Sequence, residues 1–301
     1  MHNGICVTDL YKKYGNNTVL NNINMTLMPG EIVGLVGTNG AGKSTLLSIL
    51  CGLKRNYTGN VEIDGVNIRS MRRKKNIGCL IENPGLYPAL TGMENIKYFT
   101  SFTDTVTTDE IKALVGALEL GDFINKKVKK YSLGMKQRLG IAIALLGSPK
   151  YLLLDEPMRG VDPEVIPALR KYLVSRAREA GTGIMISSHI LGEIESMCDR
   201  VIVLQAGRII ESIDLKEDAG SAEEDYIISS SETVQIEAFL REKGYSVRRT
   251  ENKLMVRTRD TEVNELIKLL VANGLNLTGI APYRENLEER FIKAIKQEED
   301  Q

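Results

Sequence analysis

The residues of this 301-residue chain best suited to chemistry are a lysine and a serine closing a glycine-rich turn, and two carboxylates behind an apolar run. Gly37-Thr38-Asn39-Gly40-Ala41-Gly42-Lys43-Ser44 fits the pattern G-x-x-x-x-G-K-[S/T]. Glycines let backbone N–H groups curl around an oxyanion without Cβ clashes, and a helix start adds partial positive charge. Lys43 would reach the β- and γ-phosphates of a nucleotide, and the Ser44 hydroxyl would hold Mg2+. The second pair is Asp155-Glu156, directly after Tyr151-Leu152-Leu153-Leu154. Active groups in parallel sheets collect at strand C-termini. There Asp155 can hold Mg2+ through water, and Glu156 can polarise an attacking water. On its own, an apolar run ending in Asp-Glu also reads as solvated helix-capping acids. The glycine-rich turn is what gives it a chemical meaning.

The elements around these residues suit that placement. Glu31–Val36 predicts a strand, and the turn then leads into a helix over Lys43–Cys51, with Thr45 in its first turn. Tyr151–Leu154 and Gly183–Ser187 read as short buried strands, with an amphipathic helix over Glu164–Ala180 between them. Short apolar strands alternating with helices imply an α/β core, a mainly parallel sheet covered on both faces. Ile5–Met28 contains Asn16-Asn17 between apolar runs, which predicts an edge hairpin. Ser101–Asp122 is helix-rich and is expected outside the main sheet.

Charge separates the chain into two parts. Residues 1–214 carry a net +5 and residues 215–301 a net −5. The change falls in the small, acidic stretch 216–224, which has the composition of a linker and also that of a charged surface loop. The expected division is a domain over 1–215, a linker over 216–224 and a C-terminal domain over 225–301. In the latter, strands at Tyr226–Ser230, Tyr245–Arg249, Leu254–Thr258 and Leu275–Ala281 alternate with helices at Thr233–Lys243 and Glu262–Ala272. That β-α-β-β-α-β order is the order of a small α+β ferredoxin-like module, followed by a last helix at Leu287–Ile295.

Composition excludes several other roles. Lys+Arg and Asp+Glu are equal at 39 each, which argues against a protein that coats nucleic acid, and none is expected as a partner. The basic clusters Arg69–Lys75 and Lys126–Lys130 lack interleaved aromatics and read as solvated faces. No apolar run approaches the ~18–20 residues needed to cross a bilayer, and Met1–Leu10 lacks a basic start and an apolar signal core. Cys6, Cys51, Cys79 and Cys198 form no C-x-x-C pair and are expected to be buried, inert thiols of a cytoplasmic protein. With only His2 and His189, a His-based metal site is not expected.

Further motifs make the resemblance specific. Tyr131-Ser132-Leu133-Gly134-Met135-Lys136-Gln137-Arg138 resembles the signature of ATP-binding cassette (ABC) ATPases and stands in the place that family has it, ahead of Asp155. Gly160-Val161-Asp162-Pro163 resembles the D-loop, and Ser187-Ser188-His189 the switch histidine motif. Tyr14 sits where these proteins stack a ring on adenine; its plain alternative is a structural tyrosine in a strand. The matches run in family order across about residues 5–212. They imply a P-loop NTPase core with an antiparallel β subdomain and a helical subdomain, binding ATP and Mg2+ through residues 37–45, Tyr14, Ser132 and Gly134. Glu156, His189 and Lys43 would act in hydrolysis, and Ser44, Asp155 and Glu82 would hold the metal. Ser132 is also an ordinary helix N-cap, which is compatible with that role.

The sequence departs from the family pattern in three places. Glu82 replaces a glutamine, the signature reads Ser-Leu-Gly-Met, and Arg159 stands where a small polar residue is common. The acidic Glu82 resembles the bacterial peptide-antibiotic resistance and lantibiotic-immunity branch of exporters. It either contacts Mg2+ or is a loop acid that meets the membrane partner. The resemblance implies a homo- or heterodimer in which one chain's phosphate loop faces the other's signature. It also implies a separate transmembrane permease that holds the dimer at the inner face of the membrane. The rival readings are an ABC ATPase acting on ribosomes or DNA, and a regulatory module that holds ATP without turnover. Residues 45–131 leave no room for the long coiled coil of the first, and Glu156 with His189 argues against the second.

Overall fold

The computed structural model describes residues 3–71, 76–103, 106–215, 224–250, 253–283 and 286–299. β1 (Ile5–Tyr14) and β2 (Asn17–Leu27) form the expected hairpin, but its turn is Gly15-Asn16, because Tyr14 pairs with Asn17. β3 (Ile32–Val36) is buried along its whole length and runs into α1 (Lys43–Leu50). β4 (Thr58–Ile63) pairs with β1 and turns through Asp64-Gly65 into β5 (Val66–Asn67). Both turn residues have positive φ, 52° and 76°, the twist that a two-residue hairpin loop requires.

β6 (Ile77–Leu80) is followed by α2 (Gly92–Thr100), α3 (Thr108–Ala117) and α4 (Leu133–Ala144). α2 opens with a capping box in which Thr91 and Glu94 bond each other's backbone N–H. Then come β7 (Tyr151–Asp155), α5 (Ile166–Ala180), β8 (Gly183–Ser187), α6 (Leu191–Glu195), β9 (Arg200–Gln205) and β10 (Arg208–Asp214). The main sheet has the order β10-β9-β3-β8-β7-β6, parallel except for β10. A second sheet, β2-β1-β4-β5, is antiparallel. One continuous apolar core joins Leu46, Leu47 and Leu50 of α1 to Val33, Leu35 and Leu153 on one side and to Ile5, Leu10 and Val61 on the other. The opposite face of the parallel sheet is covered too: at Gly34 a Cβ would strike Ile194 of α6.

The chain divides into two compact units, residues 1–215 with 291–301, and residues 216–290. The second unit contains β11 (Glu224–Ser229), α7 (Thr233–Glu242), β12 (Ser246–Thr250), β13 (Lys253–Thr258), α8 (Val263–Ala272) and β14 (Gly279–Tyr283). Its sheet order is β12-β13-β11-β14, all antiparallel. Tyr226, Ile228, Ile236, Leu240, Val256, Leu266 and Leu270 form its core. α9 (Leu287–Glu299) follows, with Leu287–Arg290 grouped in this unit and Phe291–Gln301 in the first. The strand expected from Leu275 begins only at Gly279. Leu275 and Leu277 pack against the core from a loop tied down by Ser230 Oγ donating to the Asn276 carbonyl at 2.5 Å and by Asn276 N donating to Glu232. Their alternation therefore satisfies burial and not ladder pairing. Most of the expected linker, residues 216–223, lies outside the described residues.

The cysteines depart from expectation in part. Cys51 and Cys198 are buried, whereas Cys6 and Cys79 are only half-buried because they lie on strand faces that are incompletely covered. Burial, with Asp199 beside it, raises the Cys198 thiol pKa.

Asp64 ties the antiparallel sheet to the parallel one. It accepts from Lys150 Nζ at 2.8 Å, from the Tyr151 hydroxyl at 2.7 Å and from Gly4 N at 3.1 Å. Burial opposes its charge, but these donors outweigh it and its pKa is lowered. The stabilisation is therefore present above the ordinary carboxylate value of about 3.9 and is lost as pH falls through the lower folded value. Asp64→Asn is expected to cost about 1–3 kcal/mol at pH 7 in urea unfolding. The difference from the parent should shrink as pH falls below about 3.9. A constant difference down to pH 3 would contradict this account.

Candidate functional site

The glycine-rich turn spans from the middle of the parallel sheet at Val36 to the first residue of α1. Gly42 holds φ at 110°, and a Cβ on Gly37 would collide with the Leu204 carbonyl of β9. Larger residues at either place would push the turn off its path. Lys43 is nearly buried and folds back so that Nζ donates to the carbonyls of Gly37 at 2.8 Å and Thr38 at 3.1 Å. Burial pushes its pKa down, while Glu156 and Asp155 push the other way without cancelling the shift. Phosphate oxygens are stronger acceptors for an ammonium than these carbonyls.

Asp155 is the last residue of β7, and the parallel register sets it opposite Ser187, the last residue of β8. Ser187 Oγ donates to Asp155 Oδ1 at 2.5 Å and accepts from Glu156 N at 3.0 Å. The Ser187 carbonyl accepts from the same N–H at 3.1 Å. Glu156 has φ 48°, a left-handed backbone that costs a non-glycine residue about 1–3 kcal/mol. Its carbonyl accepts from Gln137 Nε2 at 3.0 Å, and its Oε2 lies 3.0 Å from His189 Nδ1. His189 thus meets the site through Glu156.

Between the turn and these carboxylates lies a cleft of about 490 Å³, walled by Asn39–Thr45, Val19, Glu82, Asn83, Gln137, Asp155, Glu156 and Arg159. The two charged departures from the family pattern, Glu82 and Arg159, face this one cleft and have opposite signs. Ser44, Asp155 and Glu82 offer hard oxygen donors of the kind that Mg2+ takes. Among the described residues no three of His, Cys, Asp and Glu gather to hold a metal.

The other expected residues stand apart from the cleft wall. Tyr14 is 45% exposed, and hydrogen bonding from Lys54, with a further bond to Thr45, lowers its pKa. The Lys12 and Lys54 ammonium groups lie 4.4 and 5.2 Å from its ring centroid. Ser132 caps α4, accepting from Met135 N at 3.2 Å, and Gly134 lies where a Cβ would strike the Gly160 carbonyl. Neither lines the cleft of its own chain; Ser132 is exposed, whereas Gly134 is buried against Gly160. Gln137, Asn83 and Ser187 join the site although no role falls to them from the sequence. Ser187 is legible as a hydroxyl ending the strand before His189, whereas Gln137 lies in the signature-like stretch but its partner is a backbone carbonyl, which the sequence does not mark.

Residues 20–159 match the ABC transporter family model. The chain is 37% identical over 290 residues to the uncharacterized ABC transporter ATP-binding protein YdbJ of Bacillus subtilis, covering 96% of this chain and 94% of that one. It is 35% identical to the bacitracin transport ATP-binding protein BcrA of Bacillus licheniformis, covering 97% of each. It is 44% identical to the lantibiotic transport ATP-binding protein SrtF of Streptococcus pyogenes, covering 68% of this chain and 88% of that one. Among solved structures it resembles a dimeric ATP-binding cassette in a post-hydrolysis state bound to ADP and Pi, with TM-score 0.64 and 25% identity, over 70% of this chain and 99% of the other.

Lys43→Ala removes the ammonium from the turn while leaving the ring contacts of a nucleoside untouched. ATP affinity is expected to fall about 10- to 100-fold, the worth of roughly 1.5–3 kcal/mol for a charge-assisted bond. Adenosine affinity should be nearly unchanged in the same fluorescence titration. An equal loss for both would mean that the turn has collapsed.

Proposed function

The chain belongs to the ATP-binding proteins of ABC transporters, and on that footing we propose how its own residues bind and hydrolyse ATP and what this drives. It is an ATPase. The observation that carries the proposal is the meeting of Lys43, Ser44, Asp155 and Glu156 in one cleft while Ser132 and Gly134 lie outside it. A chain with one phosphate loop and one signature outside its own cleft suits a dimer in which each signature closes over the other chain's nucleotide.

In this reading the backbone N–H groups of residues 37–45 cradle the phosphates, and Lys43 balances the charge growing on the γ-phosphate. A magnesium ion held by Ser44, Asp155 and Glu82 would neutralise the β- and γ-phosphates. Glu156 orients the attacking water and takes its proton, and His189 holds the Glu156 carboxylate in place through Nδ1. Tyr14 stacks on the adenine. The presence of Glu82 on the same cleft as Asp155 favours its metal-side role over a contact with the permease alone. Arg159 offsets the extra negative charge that Glu82 brings.

We further propose that the dimer powers a separate transmembrane permease that exports a peptide antibiotic or a similar amphipathic compound. The support is the acidic Glu82, together with relatives named for lantibiotic and bacitracin transport. Among the described residues no helix is long and apolar enough to cross a membrane. A permease partner would therefore supply the path and hold the ATPase at the cytoplasmic face. The C-terminal residues 225–301 would form a ferredoxin-like accessory domain that regulates or docks, a reading supported by the sheet order β12-β13-β11-β14.

Glu156→Gln keeps the shape of the carboxylate and removes its charge. It is expected to bind ATP and to lower turnover about 10²- to 10⁴-fold. Gel filtration with ATP should show a dimer that the parent protein does not accumulate. Cells carrying this variant in place of the parent should lose resistance to the exported peptide. Turnover equal to the parent would refute Glu156 as the base. As a separate check on the accessory domain, residues 1–215 expressed alone should melt cooperatively and retain ATP binding; an insoluble fragment would contradict a separable ATPase domain.

A further inference from the structure

Among the described residues, Gln137 is the one in the cleft with a buried side-chain atom that the fold leaves unmatched. It lies in the second turn of α4, 3% exposed, in a helix whose neighbouring residues are mostly apolar. Its Nε2 donates to the Glu156 carbonyl at 3.0 Å, while its Oε1 is buried without a partner. A leucine or methionine would fill the same space with no unmatched polar atom, so packing alone gives no reason for an amide here. The amide does have a consequence at Glu156. That residue holds φ 48° and is anchored on its N–H side by Ser187. On its carbonyl side two donors converge, Gln137 Nε2 at 3.0 Å and Arg159 N at 3.1 Å, and Gln137 is the one that comes from another element. The same strained residue is thus held from both its N–H and its carbonyl.

Gln137 also ties Glu156 to a particular helix. α4 begins at the Ser132 cap, with Leu133 half-exposed on its first turn. Gly134 is packed so tightly against Gly160 that no Cβ fits between them. The stretch from Glu156 to Gly160 is therefore held to α4 at both ends, by the Gln137 amide and by the Gly134 contact. Two contacts thus join the beginning of α4 to the stretch that starts at the Glu156 peptide.

We propose that Gln137 is a positioning residue for hydrolysis: it fixes the left-handed Glu156 backbone and couples the carboxylate to the start of α4. The inference rests on the reading of Glu156 as the base, and the test separates the two. Gln137→Met keeps length and volume and removes the donor; Gln137→Leu is the second variant, and both are assayed in the full chain at a temperature where circular dichroism shows them folded. The expected result is a kcat lower by about 10- to 100-fold, the effect of a misaligned catalytic group, with KM for ATP and nucleotide affinity unchanged. In a Glu156→Gln background the same change should lower the residual single-turnover rate no further, because the two residues act as one unit. The ATP-dependent dimer of Glu156→Gln should persist in the double variant. Unchanged kcat in both variants would overturn the proposal. So would an equal fractional loss in the two backgrounds, or loss of the dimer. Failure of the base assignment is read separately, from parental turnover in the Glu156→Gln single variant.

Discussion

The site depends on the parallel register of β7 and β8, which sets Asp155 beside Ser187. One hydroxyl then serves two carboxylate residues, donating to the Asp155 side chain and accepting from the Glu156 backbone. A shift of that register by one residue would turn Asp155 into the opposite face of the sheet and leave a buried charge without its donor. Both strands are buried along their full length, which makes such a shift costly. The strained turn at Glu156 is thus held by two fully buried strands.

Charge in the cleft follows from the same arrangement. Three carboxylates and two cations face one space, so its charges are already set against one another before a nucleotide enters. Lys43 is kept there by burial and by two carbonyls, and the nearby carboxylates limit the cost of its charge. Arg159 and Glu82 each alter the field that the other parts of the site experience. Their appearance on one cleft gives a physical reason for the chain to carry both departures.

The second unit has its own core and a fully antiparallel sheet, and its described residues bring none of the expected catalytic groups. Its helices α7 and α8 each place apolar residues, Ile236 and Leu240 on one and Leu266 and Leu270 on the other, on the sheet that β11 and β13 centre. The loop at Leu275–Thr278 shows how burial can be met without a strand. Apolar alternation reports which side chains go inside, and only the neighbouring backbone decides whether the segment pairs.

Local pattern made much of this legible in the amino-acid sequence. The glycine-rich turn, the strand ending at Asp155 and the helix beginning near Lys43 are written in adjacent residues, because sterics and burial act over a few positions. Motif order along the chain pointed to the family and to an ATPase. Other features were decided only by the folded chain. The anchoring of Glu156 joins residues 31 and 19 positions away, Ser187 and Gln137, through backbone atoms that every residue type possesses. The shared cleft of Glu82 and Arg159, and the place of Ser132 and Gly134 outside it, arise from how β6, β7 and α4 pack. The sequence by itself determined which groups are available for the chemistry and which short elements carry them. Tertiary structure decided which of those groups meet, because a contact between distant residues depends on strand register and helix packing and leaves no mark in the residues nearby.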